Sequence, residues 1–209
     1  MNDVAASAPA ADAGSAWSPE LRVLLRPRAT YARLRAAPDD ARPLWRGVRG
    51  PLLWLLVVGA FVSFTTAGRL VWWEILLSAS AWAFLPLLQV AWLAAATARV
   101  PVPLADRVDL WFRGQAPIYL WFLALSALCL FTPHARLAIE PLVFPIVLAL
   151  AAAIGWGAYL TFVCLRVGFR LGRASALLRT LGFYVGYGGT LVGWYLVTDN
   201  LQPLLAART

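Results

Sequence analysis

The sequence contains no lysine, one histidine and two cysteines among its 209 residues. A Walker phosphate loop requires lysine, so that class of nucleotide site is excluded. His134 with Glu140 nearby supplies too few ligands for zinc and too few groups for a catalytic triad. Cys129 and Cys164 form neither a disulfide scaffold nor a CxxC pair, and both lie in apolar runs. We therefore expect a non-enzymatic protein without a metal or cofactor.

Charged residues are also scarce. They make up 13% of the chain, while hydrophobic residues make up 61%. Soluble domains have roughly 25% charged and 45–50% apolar residues, so the composition predicts a membrane protein. The net charge of +8 comes with arginines placed between apolar blocks. That placement is typical of membrane orientation and excludes nucleic acid as the expected partner. The lack of lysine beside abundant Ala, Arg, Gly and Pro suggests a bacterial source.

Five apolar stretches are long enough to cross a bilayer core, which takes about 20 helical residues. The sequence therefore predicts an all-α, polytopic bundle of five transmembrane helices within a domain of residues 51–200. The predicted spans are residues 51–68, 71–97, 114–131, 141–165 and 176–197.

The two ends of the chain differ from this domain. Residues 1–17 are small and acidic without a basic start, so we predict a disordered tail and not a signal peptide. Residues 18–50 form a basic amphipathic segment, and residues 201–209 form a short external tail.

The arginines are distributed unequally between the two sides of the predicted bundle. With five spans, 15 arginines fall on the side of the N-terminus and 3 on the other side. Positive residues are enriched on the cytoplasmic side of membrane proteins. We predict a multi-pass protein of the bacterial cytoplasmic (inner) membrane, with a cytoplasmic N-terminus and the C-terminus outside.

The segment SPELRVLLRPRATYARLRAAP carries helix-start signals. Ser18 precedes Pro19 and Glu20, and Pro27 divides the segment into two short helices. We interpret both as amphipathic helices at the membrane interface, attracted to anionic lipid. The alternative is a solvated basic linker. The candidate residues for contact with the membrane surface or a partner are Arg22, Arg26, Arg28, Tyr31, Arg33 and Arg35.

A further short element, LADRVDLWFRG, precedes the third span. Asp109 and Arg113 are four residues apart, the spacing of a helical ion pair. Trp111 and Phe112 are expected to turn toward the bilayer interface.

The stretch GFYVGYGGTLVGW lacks the third glycine of a dinucleotide fingerprint and follows no strand. At helical spacing, however, four of its glycines share one face. Small residues allow helices to approach closely in membranes. We expect this face to dock on the fourth or first span, although the same spacing suits homo-oligomerisation. The helix-packing candidates are Gly182, Gly186, Gly189, Gly193, Ala149, Ala153 and Gly157.

Two glutamines are the intramembrane polar candidates. Gln89 follows Pro86, which frees the carbonyl of Trp82 and is expected to kink the second span. Gln115 lies at the start of the third span. Gln89 either bonds a neighbouring Ser or Thr or binds a substrate headgroup.

Three segments, LLRPRATYARLRAAP, LADRVDLWFRGQAPIYLWF and WGAYLTFVCLRVGFRLGRASALLRTL, together resemble the bacterial branch of the Ypt-interacting protein (YIP) family. The residues that carry the resemblance are Pro27, Arg28, Tyr31, Leu34, Phe112, Arg113, Ala116, Pro117, Trp156, Leu165, Arg166, Arg173, Ala174 and Ala176. The resemblance implies five helices and a cytoplasmic N-terminus. Eukaryotic members are associated with small GTPases and vesicle traffic.

Two functions are consistent with these patterns. The first is a membrane scaffold or adaptor that organises the bilayer, an unknown membrane protein or further copies of itself. The second is a small transporter or lipid-translocating protein, in which Gln89, Gln115, Tyr184 and Tyr187 line a polar path. A polar cavity between the second, third and fifth spans would favour the second function, and a tightly packed interior the first.

Overall fold

The computed structural model describes residues 18–36, 44–131 and 140–206, and every regular element in these ranges is helical. The tail predicted at residues 1–17 lies outside the described residues, as do His134 and residues 207–209. Residues 201–206, predicted as the start of a short external tail, instead continue the last helix. The elements are α1 (Pro19–Leu25), α2 (Pro27–Ala36), α3 (Leu44–Ala67), α4 (Trp72–Trp82), α5 (Phe84–Ala96), α6 (Leu104–Phe112), α7 (Ala116–Phe131), α8 (Glu140–Val163), a π-helical turn (Cys164–Gly168) and α9 (Arg173–Ala206).

Three helical segments are long and apolar enough to cross a membrane: Leu44–Thr65, Trp72–Ala96 and Leu142–Gly168. In the most apolar part of each, no more than 33% of the residues are buried within the protein. The apolar stretch Ala116–Leu128 of α7 is shorter. Helix α9 has 34 residues, but its glycines, tyrosines and Arg179 lower its mean hydropathy. The described part of the chain is thus all-helical, and three of its segments have the length and composition to cross a membrane.

Helices α3 and α4 form a hairpin. Gly68, at φ +67°, ends α3 in the left-handed conformation that glycine adopts without strain. The buried Ser63 hydroxyl donates to the carbonyl of Arg69 (3.1 Å) and accepts from the Val71 amide (2.9 Å). A Cβ at Gly59 would lie 2.7 Å from the carbonyl oxygen of Ile75. Glycine at this position therefore allows the two backbones to meet.

The kink expected at Pro86 occurs as a break of one residue between α4 and α5. Helix α4 ends at Trp82 and α5 begins at Phe84. Pro86 has no N–H to donate to the carbonyl of Trp82, which removes one hydrogen bond of the helix.

The hydrophobic core lies at one end of the bundle, where α1, α2, α6, the π turn and the start of α9 meet. Trp111 (1% exposed) and Phe112 (7%) belong to this core, so the expectation that they face the bilayer interface is wrong. Trp111 can be buried because its indole has a hydrogen-bond partner inside the bundle: the Nε1–H donates to Thr161 Oγ1 (3.2 Å). A buried tryptophan needs such an acceptor.

Helix α9 turns its aromatic face toward the bundle. Phe183 is buried, and Tyr184 and Tyr187 are packed against the core. Gly182, Gly189 and Gly193 face outward with open space beside them, and Gly186 alone makes a close contact, with the ring of Trp92 on α5. This differs from the expected docking of a glycine face on the fourth or first span. The reason is that tyrosine hydroxyls can form hydrogen bonds with polar groups inside the bundle, whereas glycine has no side chain to do so.

The small-residue surface expected on the fourth span is likewise only partly buried. Ala149 is exposed and Ala153 half-buried, whereas Gly157 is buried. A Cβ at Gly157 would lie 3.2 Å from the hydroxyl oxygen of Tyr184, so the α8 to α9 contact is made by a tyrosine against a glycine.

Candidate functional site

The arginine-rich connections of the chain meet at one end of the bundle, which we call the arginine-rich end (α1, α2, α6, residues 97–103 and residues 164–179). Arg107 donates to the carbonyl oxygen (2.6 Å) and hydroxyl (2.7 Å) of Thr97, and Arg179 donates to the carbonyl of Ala96. These carbonyls end α5, where cations are stabilised by the helix dipole. Burial lowers the pKa of Arg107 from its ordinary value. Two arginines, one in α6 and one in the first turns of α9, thus tie these helices to the same helix end.

Helices α1 and α2 pack against the other segments of the arginine-rich end. As predicted, Ser18 caps α1: its Oγ accepts from the Leu21 amide at 3.2 Å, with Pro19 in the first turn. Helix α2 begins at Pro27, and the Thr30 hydroxyl lies 2.9 Å from the carbonyl oxygen of Arg26. Most of the candidate arginines lie on the outside of this pair: Arg26, Arg28 and Arg33 are exposed, Arg22 is half-buried, and the side chain of Arg35 lies outside the described residues.

Tyr31 is not at the surface. Its side chain is 0% exposed, and it lies beside Cys164 of the π turn. A Cβ at Gly114 would lie 2.5 Å from its hydroxyl oxygen, so Gly114 leaves the room that the phenol occupies. Burial raises the pKa of Tyr31 well above its usual range, and the phenol stays neutral. Tyr31 therefore anchors α2 to the bundle, and a partner cannot reach it in this arrangement.

A cavity of about 330 Å³ opens between the start of α3, α6 and the start of α7; we call it the charged cavity. Three arginines and two carboxylates line it, together with aromatic side chains. Its principal residues are Glu20, Arg46, Arg49, Trp54, Asp109, Phe112, Arg113 and Tyr119.

The predicted ion pair on α6 is confirmed and forms part of this cavity. Arg113 Nη2 donates to Asp109 Oδ2 at 2.8 Å, and both side chains are mostly buried. Arg113 Nε is buried without a hydrogen-bond partner among the described residues. An unpaired buried guanidinium nitrogen is unusual, because each such group has a desolvation cost.

Gln115 joins a polar cluster beneath the arginine-rich end. Its Nε2 donates to Thr161 Oγ1 (3.4 Å), which also lies 3.4 Å from the hydroxyl of Tyr184. Gln115 is 2% exposed and Thr161 1% exposed. The cluster connects α7, α8 and α9.

Gln89 forms a second polar cluster with tyrosines, and not with a neighbouring Ser or Thr, which was one of the two alternatives from the sequence. Tyr119 donates its hydroxyl hydrogen to Gln89 Oε1 (3.4 Å), and Tyr187 lines the same cavity wall as Gln89. The second span, α7 and α9 are connected in this way.

A second cavity, of about 480 Å³, lies between α3, α4, α5 and α7; we call it the apolar cavity. Its walls are mostly aliphatic and aromatic, with Gln89, Tyr119 and Tyr187 supplying polar groups at one side. It differs in place and character from the polar cavity that a transport path would need. Trp54 and Tyr119 line both cavities, so the two are neighbours.

The arrangement can hold an amphiphilic molecule, because charged donors lie at one end and an apolar space at the other. Residues 18–36, 44–131 and 140–206 contain no group of three or more His, Cys, Asp or Glu side chains placed to hold a metal ion. Sequence reasoning did not single out Arg46 and Arg49 of the charged cavity. Their spacing of three on an apolar helix, which puts them on one face, is the signal that would have found them.

Comparison of the chain with models of protein families, with curated proteins and with solved structures finds no match.

Proposed function

We propose that this chain is a non-enzymatic, five-span protein of the bacterial cytoplasmic membrane, similar to the YIP family. In this proposal the outward face of α1 and α2, at the arginine-rich end, is a membrane scaffold or adaptor surface that organises anionic lipid or a partner protein. The observation that carries the proposal is the firm packing of α1 and α2 on the bundle, with Arg26, Arg28 and Arg33 turned outward. A solvated linker would not bury Val23 and Tyr31 completely.

Five spans with one orientation are supported by the meeting of the arginine-rich segments. The N-terminal parts of α6 and α9 bind the same end of α5, through Arg107 and Arg179. If α7 and α9 both cross the bilayer, all these segments lie in one compartment, as the positive-inside rule requires.

Cysteine labelling tests the topology. In a C129A/C164A background, single cysteines at Ala5 and Thr209 are treated with a membrane-impermeant maleimide on intact spheroplasts. We expect labelling of the Thr209→Cys variant on intact spheroplasts and of the Ala5→Cys variant only after permeabilisation. Labelling of both positions on intact spheroplasts, or of neither, would refute an odd number of spans.

Vesicle recruitment tests the surface. The full chain is placed in nanodiscs of neutral lipid, and binding of vesicles that contain phosphatidylglycerol is measured. Each arginine near an anionic surface contributes about 1 kcal/mol, so we expect R26Q/R28Q/R33Q to weaken recruitment about tenfold or more.

The matched control is R166Q/R170Q/R173Q, which removes the same charge from the connection before α9. It should retain most of the recruitment, and both variants should keep the unfolding temperature of the parent. An equal loss in both variants, or no loss in either, would contradict a specific surface on α1 and α2.

A second candidate function, lipid translocation, is favoured by the apolar cavity. Gln89 is placed at its wall with Tyr119 and Tyr187. Under this function Gln89→Leu abolishes flipping of a fluorescent phospholipid in liposomes, whereas Gln115→Leu, outside the cavity lining, retains more of it. Absence of flipping by the parent protein would remove this candidate.

A further inference from the structure

The charged cavity and the apolar cavity follow each other along helix α3. Arg46 and Arg49 line the first, and Leu55, Val58 and Val62 line the second. Trp54 stands between the two sets and contributes to both cavities, as Tyr119 does from α7. Along α3, the side chains that line the two cavities therefore change from charged to apolar.

The charged cavity has the groups that recognise a phosphate with an attached amine. Guanidinium groups bind phosphate through charge-assisted hydrogen bonds, and Arg46, Arg49 and Arg113 line the cavity. Glu20 lies in the same lining and is the group that attracts an ammonium, whereas Asp109 is held by Arg113 at 2.8 Å. Three positive and two negative side chains favour a zwitterion over a strongly anionic ligand.

The apolar cavity accepts the chain of such a molecule. Its volume of about 480 Å³ lies within the roughly 300–1,000 Å³ of small-molecule sites. Gln89 and Tyr119 at the wall are already hydrogen-bonded to each other, so an apolar occupant leaves neither without a partner. An aliphatic chain fits these walls better than a polar solute.

We propose that one phospholipid of the cytoplasmic leaflet occupies both cavities, with its phosphate on Arg46, Arg49 and Arg113 and one acyl chain in the apolar cavity. Glu20 favours an aminoalkyl phosphate headgroup, such as phosphoethanolamine. The inference depends on the membrane insertion proposed above, but it is independent of the outward-facing arginines of α1 and α2.

Native mass spectrometry of the full chain in a mild detergent tests the site. After exchange into mixed phosphatidylethanolamine and phosphatidylglycerol, we expect one retained phospholipid per chain, with phosphatidylethanolamine preferred. R46Q/R49Q should lower retention about tenfold or more, because hydrogen bonds to charged groups are the strong kind. Both arginines are exposed, so the fold should survive the change.

The matched control is R166Q/R173Q, which removes two exposed arginines that do not line either cavity. It should retain the lipid as the parent does. A parent without retained lipid, or equal retention in R46Q/R49Q and the control, would overturn the proposal. Val58→Trp fills the apolar cavity without a change of charge and should also expel the lipid.

Competition separates a lipid headgroup from a free phosphate. Inorganic phosphate in large excess should leave the bound phospholipid in place, since it lacks the chain, whereas a phospholipid with a single acyl chain should displace it. Displacement by inorganic phosphate alone would show an anion site and overturn the two-cavity proposal. If Val58→Trp does not fold, the single-chain competitor still tests the apolar half.

Discussion

Aromatic side chains have opposite environments at the two ends of this bundle. At the arginine-rich end Tyr31 is 0% and Trp111 1% exposed, and each fits among other side chains. At the opposite end (residues 64–75 and 140–148) Trp72 is 78%, Trp73 70% and Phe144 75% exposed. In a bilayer, lipid covers such apolar surface without cost, so it needs no protein partner.

The difference indicates where the folding energy of this protein resides. The arginine-rich end has a core of its own and buried polar groups, as a soluble domain does. In the proposed membrane-inserted state, the remainder depends on the bilayer and on a few close backbone contacts. We expect substitutions at the two ends to differ accordingly.

The largest expected effect is that of Trp111→Ala. It removes a buried indole and leaves Thr161 without the Nε1–H donor, which costs about 3–5 kcal/mol. Trp72→Ala at the opposite end should change the free energy of unfolding by no more than about 0.5 kcal/mol. Thermal unfolding in one detergent measures both. Similar losses for the two tryptophans would remove the contrast between the ends.

The next prediction concerns Gly59, which is closely packed although it lies toward the end of the bundle with exposed aromatic side chains. Gly59→Ala places a methyl group 2.7 Å from the backbone oxygen of Ile75, which cannot move without the helix. We expect a loss of about 3 kcal/mol, at the upper end of overpacking effects. Gly155→Ala, with open space around it, serves as the control. A neutral Gly59→Ala would show that α3 and α4 separate easily.

A smaller effect is expected at the contact of α9 with α5. Gly186→Ala would overlap the ring of Trp92, but a side chain can rotate away, so the cost should be about 1–2 kcal/mol. Gly189 is exposed, so Gly189→Ala should leave the free energy of unfolding unchanged. The unfolding midpoints of the pair measure the difference. If Gly189→Ala destabilises more, α9 packs through its glycine face after all.

The smallest effect concerns the cap of α1. Ser18→Ala removes the hydrogen bond to the Leu21 amide and should weaken α1 by about 1 kcal/mol. Hydrogen exchange of the α1 amides measures this local loss. Ser80→Ala, in which an exposed serine loses a bond to the carbonyl of Leu77, should leave the exchange in α1 unchanged. Unaltered protection in Ser18→Ala would mean that packing alone holds α1.

Local patterns predicted several elements correctly. The helix start at Ser18, the division at Pro27, the break near Pro86 and the pair of Asp109 with Arg113 depend on residues within a few positions of each other. Such features follow from backbone hydrogen bonding and helical spacing. The resemblance to the YIP family stays a prediction, as do the five spans and the orientation.

Helix faces were harder to predict, because a face is chosen by partners that are distant in sequence. Trp111 is drawn inward by Thr161, 50 positions away. The tyrosines of α9 are drawn inward by Gln89, Gln115 and Thr161, which leaves most of the glycines outside. The glycine spacing showed that one face of α9 consists of small residues, but not whether this face would be buried.

By itself, the sequence determined the helical class, the membrane-compatible composition and the grouping of arginines in the connections, since these depend on composition and local spacing. Only the tertiary structure decided that Tyr31 is an anchor and not a surface residue. It also decided that Arg46, Arg49 and Arg113 share one cavity next to an apolar one. These features depend on which helices meet, and that choice follows from packing and buried hydrogen bonds across the whole bundle.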